Sequence, residues 1–140
     1  MACDDCVSRR AFLATSALAV VAAATGCGNG QIGPDAVAGL GNGTLTIKVG
    51  DFPDLAVTGT LVSVSNVVAA KRTDTAAFAA YSMVCTHQGC LTSLQSNSFF
   101  CPCHGSMFDS GGRVTRGPAT TALPQFATSY DAVSDQLTIG

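Results

Sequence analysis

The chain has 140 residues, of which 47% are hydrophobic and only 11% charged, with a formal net charge of −2. That length and apolar content suit one domain with a modest core, and no run of Lys or Arg could neutralise a phosphate backbone, so nucleic acid is not an expected partner. All nine acidic residues are Asp and Trp is absent, while Val, Thr and the 15 Gly point to strands and turns.

The N-terminus carries Ser8-Arg9-Arg10-Ala11-Phe12-Leu13, followed by an uncharged stretch over residues 11–24 rich in Ala and Val. Paired Arg before an apolar stretch is the form of a bacterial export signal. The segment resembles the twin-arginine (Tat) signal, with Ala14 where Lys is common. Tat transport moves folded proteins, often with a cofactor already inserted. The resemblance therefore implies a pre-assembled prosthetic group and a place on the periplasmic side of the bacterial cytoplasmic membrane. Cys27 follows Ala24-Thr25-Gly26 and resembles a lipoprotein processing site, although Ala24 stands where a larger aliphatic residue is usual. The apolar stretch falls short of the ~20 residues that span a bilayer comfortably. Residues 1–27 are thus expected to be a Tat-type signal or lipid anchor; Cys3 and Cys6, upstream of the arginines, have no evident role. Residues 28–43 are Gly-rich, contain Pro34 and lack periodicity, which reads as a flexible tether to the membrane.

The folded domain is expected over residues 44–140. Leu45, Ile47 and Val49 alternate with polar neighbours, as a strand requires. Residues 61–68 form a β-branched run, residues 67–71 lead to a turn at Thr73-Asp74-Thr75, and residues 78–84 return as a strand. Gln95-Ser96-Asn97-Ser98 reads as a hairpin turn before Phe99-Phe100. Met107-Phe108 precedes a turn at Ser110-Gly111-Gly112, and residues 126–132 with 137–139 make a final hairpin. Many short strands at this spacing predict an all-β, antiparallel sandwich or barrel.

Two boxes interrupt these strands: Cys85-Thr86-His87-Gln88-Gly89-Cys90 and Cys101-Pro102-Cys103-His104-Gly105-Ser106. They hold both histidines of the chain and four of its seven cysteines. An exported protein sits where disulfides persist, and pairing two of the four cysteines would leave two thiolates and two imidazoles. Zinc accepts that set, and so does a [2Fe–2S] cluster in which two His replace two Cys on one iron. Each box offers Cys and His together, Cys85-x-His87 and Cys101-x-x-His104, and the boxes contain Gly and Pro where a finger would have a helix. A zinc finger would pair Cys with Cys and place a helix before the histidines.

The pattern Cys-Thr-His-x-Gly-Cys followed by Cys-Pro-Cys-His-Gly-Ser closely resembles the Rieske iron–sulfur protein family, over roughly residues 44–140. The resemblance implies a Rieske-type antiparallel fold with two cluster-binding loops and one [2Fe–2S] cluster. Cys85 and Cys101 would bind one iron, and His87 and His104 the other. Cys90 and Cys103 would form the disulfide of the high-potential subgroup, a pair that Rieske ferredoxins of ring-hydroxylating oxygenases lack. Ser106 matches the serine whose hydroxyl hydrogen-bonds a cluster sulfide and raises the potential. Phe108 departs from the Tyr often found in respiratory members, and Gly117-Pro118-Ala119 resembles the loop that covers the cluster, with Thr120 in place of a second Pro.

The sequence shows no nucleophile paired with a general base, so the domain alone is expected to carry electrons rather than catalyse. The resemblance implies the iron–sulfur subunit of a quinol-oxidising cytochrome bc-type complex, with cytochrome b- and c-type partners and quinol. Two alternatives are the small subunit of an arsenite-oxidase-like molybdoenzyme, and a stand-alone membrane-tethered electron-transfer protein.

Overall fold

The computed structural model describes Leu40 and residues 43–140. The expected signal, Cys3, Cys6, the Cys27 processing site and nearly all of the tether lie outside the described residues. No helix among the described residues is long and apolar enough to cross a membrane.

Among the described residues, eleven short strands form three antiparallel sheets. Strands β1 (Leu45–Lys48), β11 (Gln136–Ile139) and β10 (Thr128–Asp131) make the first, in that order. The central sheet runs β2 (Val62–Ser63), β3 (Val68–Asp74), β4 (Ala77–Ser82) and β9 (Gln125–Phe126). The third runs β5 (Ser93–Gln95), β6 (Ser98–Phe100), β7 (Met107–Phe108) and β8 (Val114–Arg116).

The central sheet separates two cores. Successive side chains of a strand point to opposite faces, and β4 uses both. Phe78 and Ala80 join a core with Ile47, Leu55, Val68, Leu137 and Ile139, whereas Ala79 and Tyr81 join one with Phe99, Phe108, Cys85 and Cys101. A strand buried on both faces must read as an unbroken apolar run, which is why residues 78–84 show little alternation. The small Ala side chains at 69, 70, 79 and 80 let both neighbouring layers pack closely on this sheet.

Several local features differ from the sequence reading. The run over residues 61–68 is split, because the Ser65 hydroxyl accepts the N–H groups of Val67 and Val68 and turns the chain. Strand β3 continues through Thr73 and Asp74, so the turn begins later. Val49 leaves β1 for a 3-10 turn, Val49–Asp51, and a second follows at Pro53–Ala56, where Pro fits the first turn of a helix. The segment expected as one closing strand is divided at Ala127: β9 pairs with β4, while β10 pairs with β11.

Candidate metal centre

The two boxes occupy the tips of adjacent hairpins at one end of the third sheet. The first is bracketed by the Thr92 N–H bonded to the Met83 carbonyl at 2.8 Å, then by a bridge between Val84 and Leu91. The second is bracketed by the pairing of Phe100 with Met107. Inside each box the same two backbone bonds recur. The Cys85 N–H donates to Cys90 O (2.8 Å) and Gly89 N–H to Cys85 O (2.9 Å); the Cys101 N–H donates to Ser106 O (2.8 Å) and Gly105 N–H to Cys101 O (3.0 Å). Closing these six-residue tips requires a left-handed fifth residue, and Gly89 and Gly105 have φ of 76° and 77°. That explains the matching Gly in two otherwise different boxes.

The disulfide joins Cys90 to Cys103 with Cα atoms 6.5 Å apart, one cysteine from each box. Cys85 and Cys101 are free and buried. The rings of His87 and His104 approach edge to face, centroids 4.9 Å apart, with His104 exposed at the tip. The Nδ1 atom of His87 is buried without a hydrogen-bond partner, alone among buried side-chain polar atoms of the described residues. The sulfurs of Cys90, Cys101 and Cys103 also lie within 4.8 Å of one another. Two of those three are consumed by the disulfide, so only Cys101 of that group keeps a thiol for a metal.

Burial pushes the Cys85 thiol up from its usual range, and the neighbouring Cys101 pushes it further. The His87 backbone N–H and the Ser106 hydroxyl pull the other way by favouring the thiolate. No Lys or Arg contributes, so a cation bound between the sulfurs would be the missing stabiliser of their charge. Ser106 is fully buried, and its hydroxyl oxygen accepts the Ala119 N–H at 3.0 Å. Phe108 is likewise fully buried, in the core that contains both free cysteines.

A third segment closes the end of the molecule. Residues 117–123 begin at a cis Gly117–Pro118 bond and bury Ala119 and Leu123. Leu123 donates its N–H to Gly112 O at 2.8 Å, and Gly112 has φ of 74° with Tyr81 and Leu123 against the position a Cβ would take. The Thr86 hydroxyl donates to Thr121 O at 2.5 Å. Sequence reasoning passed over Thr86 as a bridge to this segment, because a hydroxyl reaching 35 positions along the chain leaves no local signal.

The family description "Rieske [2Fe-2S] domain" matches residues 44–127. The chain is 50% identical over 54 residues to a cytochrome b6-f complex iron-sulfur subunit of Cyanothece, covering 37% of this chain and 28% of that protein. It is 47% identical over 55 residues to a ubiquinol-cytochrome c reductase iron-sulfur subunit of Bradyrhizobium diazoefficiens, covering 37% and 30%. It is 51% identical over 57 residues to a cytochrome bc1 complex Rieske iron-sulfur subunit of Corynebacterium diphtheriae, covering 37% and 14%. The matches thus span less than a third of the length of these relatives. Among solved structures, the plasma membrane Rieske protein PetC3 of Synechocystis PCC 6803 is similar with a TM-score of 0.46 and 30% identity, over 52% of this chain and 75% of that one.

Proposed function

The chain belongs to the Rieske [2Fe–2S] domain family, and from that premise we propose that it is a one-electron carrier serving a quinol-oxidising cytochrome bc-type complex. Cys85 and Cys101 would hold one iron of the cluster, and His87 and His104 the other. The observation that carries this assignment is the convergence of two free buried thiols and two facing imidazoles at one tip, with the buried Nδ1 of His87 left without any other partner. A buried polar atom of this kind is costly unless something bonds it. Zinc fits the donor types less well, because each box mixes Cys with His instead of segregating them.

When bound, the cluster supplies a one-electron couple whose potential responds to hydrogen bonding and burial. The chain's own residues set those conditions. The Ser106 hydroxyl favours added negative charge on sulfur, the Phe108 ring excludes water from the inner side, and the disulfide holds the two boxes together. His104, exposed at the tip, faces the side from which a quinol or a cytochrome would approach. The names of the relatives support a bc-type assembly with cytochrome partners. The Ser8-Arg9-Arg10 segment and Cys27 support export by Tat and attachment at the periplasmic face of the membrane, with residues 28–43 as tether.

Phe108 also favours a second reading, the small subunit of an arsenite-oxidase-like molybdoenzyme, since that position cannot donate a hydrogen bond to sulfur. Affinity purification from detergent-solubilised membranes separates the two: a cytochrome b partner supports the first, a large molybdopterin subunit the second. Recovery of the chain without either supports a stand-alone carrier and contradicts the proposal.

A further inference from the structure

Three sulfurs at the tip lie close enough to react with one another. Those of Cys90, Cys101 and Cys103 are all within 4.8 Å, and Cys90 and Cys103 share a bond. Cys101 is the free thiol of that group. Disulfides exchange when a thiolate attacks one sulfur of the bond and expels the other, so Cys101 has its target beside it. The chain decides which sulfur is attacked. A bond to Cys103 would have to close over the single residue Pro102, whose ring fixes φ, and would leave the expelled charge on half-buried Cys90. A bond to Cys90 joins one box to the other, as the native disulfide does. It leaves the charge on Cys103, which is exposed to water.

We propose that in the cluster-free chain Cys101 exchanges into the disulfide, giving a Cys90–Cys101 bond and a free Cys103 thiol at the surface. Cys101 Sγ bonds to Cys90 Sγ, the Cys90–Cys103 bond breaks, and its electron pair leaves on Cys103 Sγ. Cys103 then takes a proton from water in place of the one that Cys101 gave up. One disulfide breaks and one forms, so the step needs no oxidant or reductant. The exchange stands on the sulfur geometry, while its consequence rests on the Rieske reading above. An exchanged chain lacks one of its two thiolate ligands and is closed to the cluster. Iron on Cys101 occupies the nucleophile and so preserves the native pairing. The step also reverses, because the Cys103 thiol can attack Cys90 and release Cys101.

Disulfide mapping tests this on the full chain, purified with its cluster and then stripped of iron by a chelator under argon without added thiol. Samples are quenched in acid, which removes the attacking thiolate, and digested with pepsin. Mass spectrometry then assigns the pairs, with fragmentation at the Cys101–Pro102 bond telling Cys101 from Cys103. The stripped chain is expected to lose the Cys90–Cys103 pair with time and to gain Cys90–Cys101 in equal amount. Cys101→Ser is expected to keep the native pair. Should that variant fail to fold, Cys85→Ser retains the attacking thiol and must still exchange. A stripped chain that keeps Cys90–Cys103 throughout would overturn the proposal, as would equal loss of the pair in Cys101→Ser or its retention in Cys85→Ser. The cluster-loaded chain separates the two levels, since it is expected to hold the native pair. Exchange there as fast as in the stripped chain would support the reaction and contradict Cys101 as an iron ligand.

Discussion

At Ser106 and Phe108 the same core sets both stability and potential. Ser106→Ala removes a donor beside the Cys85 sulfur and leaves the Ala119 N–H buried without an acceptor. The reduction potential is expected to fall, and thermal stability with it by about 1–3 kcal/mol. Phe108→Tyr places a hydroxyl in a fully buried site. An unpaired hydroxyl there would cost about 1–3 kcal/mol, so only a bond to sulfur can make the variant both well folded and higher in potential. We expect a raised potential by voltammetry; an unchanged potential with lowered stability would mean that the hydroxyl finds no sulfur. Far from this site, Asp135 accepts the Tyr130 O–H and the Gly50 N–H at 2.8 Å each. These bonds, Tyr130 first, hold its carboxyl below the usual range. A carboxyl depressed in the folded state contributes stability above its unfolded pKa and loses it as pH falls through the folded value. Urea midpoints should therefore decline below about pH 4, and Asp135→Asn should flatten that decline.

Among the elements, the β5–β6 hairpin shows what a side chain adds to a turn. Asn97 sits at φ 61°, and its amide accepts the Leu61 N–H at 2.7 Å and donates to Gly59 O at 2.9 Å. The hairpin tip is thereby latched to the strand that enters the central sheet. Asn97→Ala loses both bonds and the residue type that tolerates this conformation, with an expected cost of about 2–4 kcal/mol in urea unfolding. A change below 0.5 kcal/mol would show that the latch is dispensable. This turn and both boxes are legible in the sequence, because Asn, Gly and the Cys/His spacing act locally. The Asn97 latch, the Ser106–Ala119 bond and the Thr86–Thr121 bond are not, since each joins residues 13 to 38 positions apart. Strand β8 also escapes the sequence reading: Val114-Thr115-Arg116 is too short to show alternation, and its pairing with β7 fixes it. The 3-10 turns over residues 49–56 escape for a related reason, as Val49 and Leu55 are apolar for burial rather than for a strand.

At the scale of the whole molecule, two structural layers support one reactive end. The first sheet and its core form a base, the central sheet lies between the two cores, and the third sheet carries the boxes. The disulfide spans 13 positions and ties the boxes directly. In the chain-entropy view, closing a loop of that size contributes about 3 kcal/mol. The Cys90→Ala, Cys103→Ala double variant is expected to lose that much stability and to release its iron sooner under mild chelation, while residues 117–123 still hold the boxes in register. Iron retention equal to that of the native protein would show that the brace is redundant. The central claim, a cluster held by two thiolates and two imidazoles, is tested most directly by pulsed electron paramagnetic resonance on the reduced protein labelled with ¹⁵N-histidine. The chain has only two histidines, so every strong nitrogen coupling must come from His87 or His104. Two such couplings are predicted; a spectrum with none, or stoichiometric zinc in place of iron, would contradict the account.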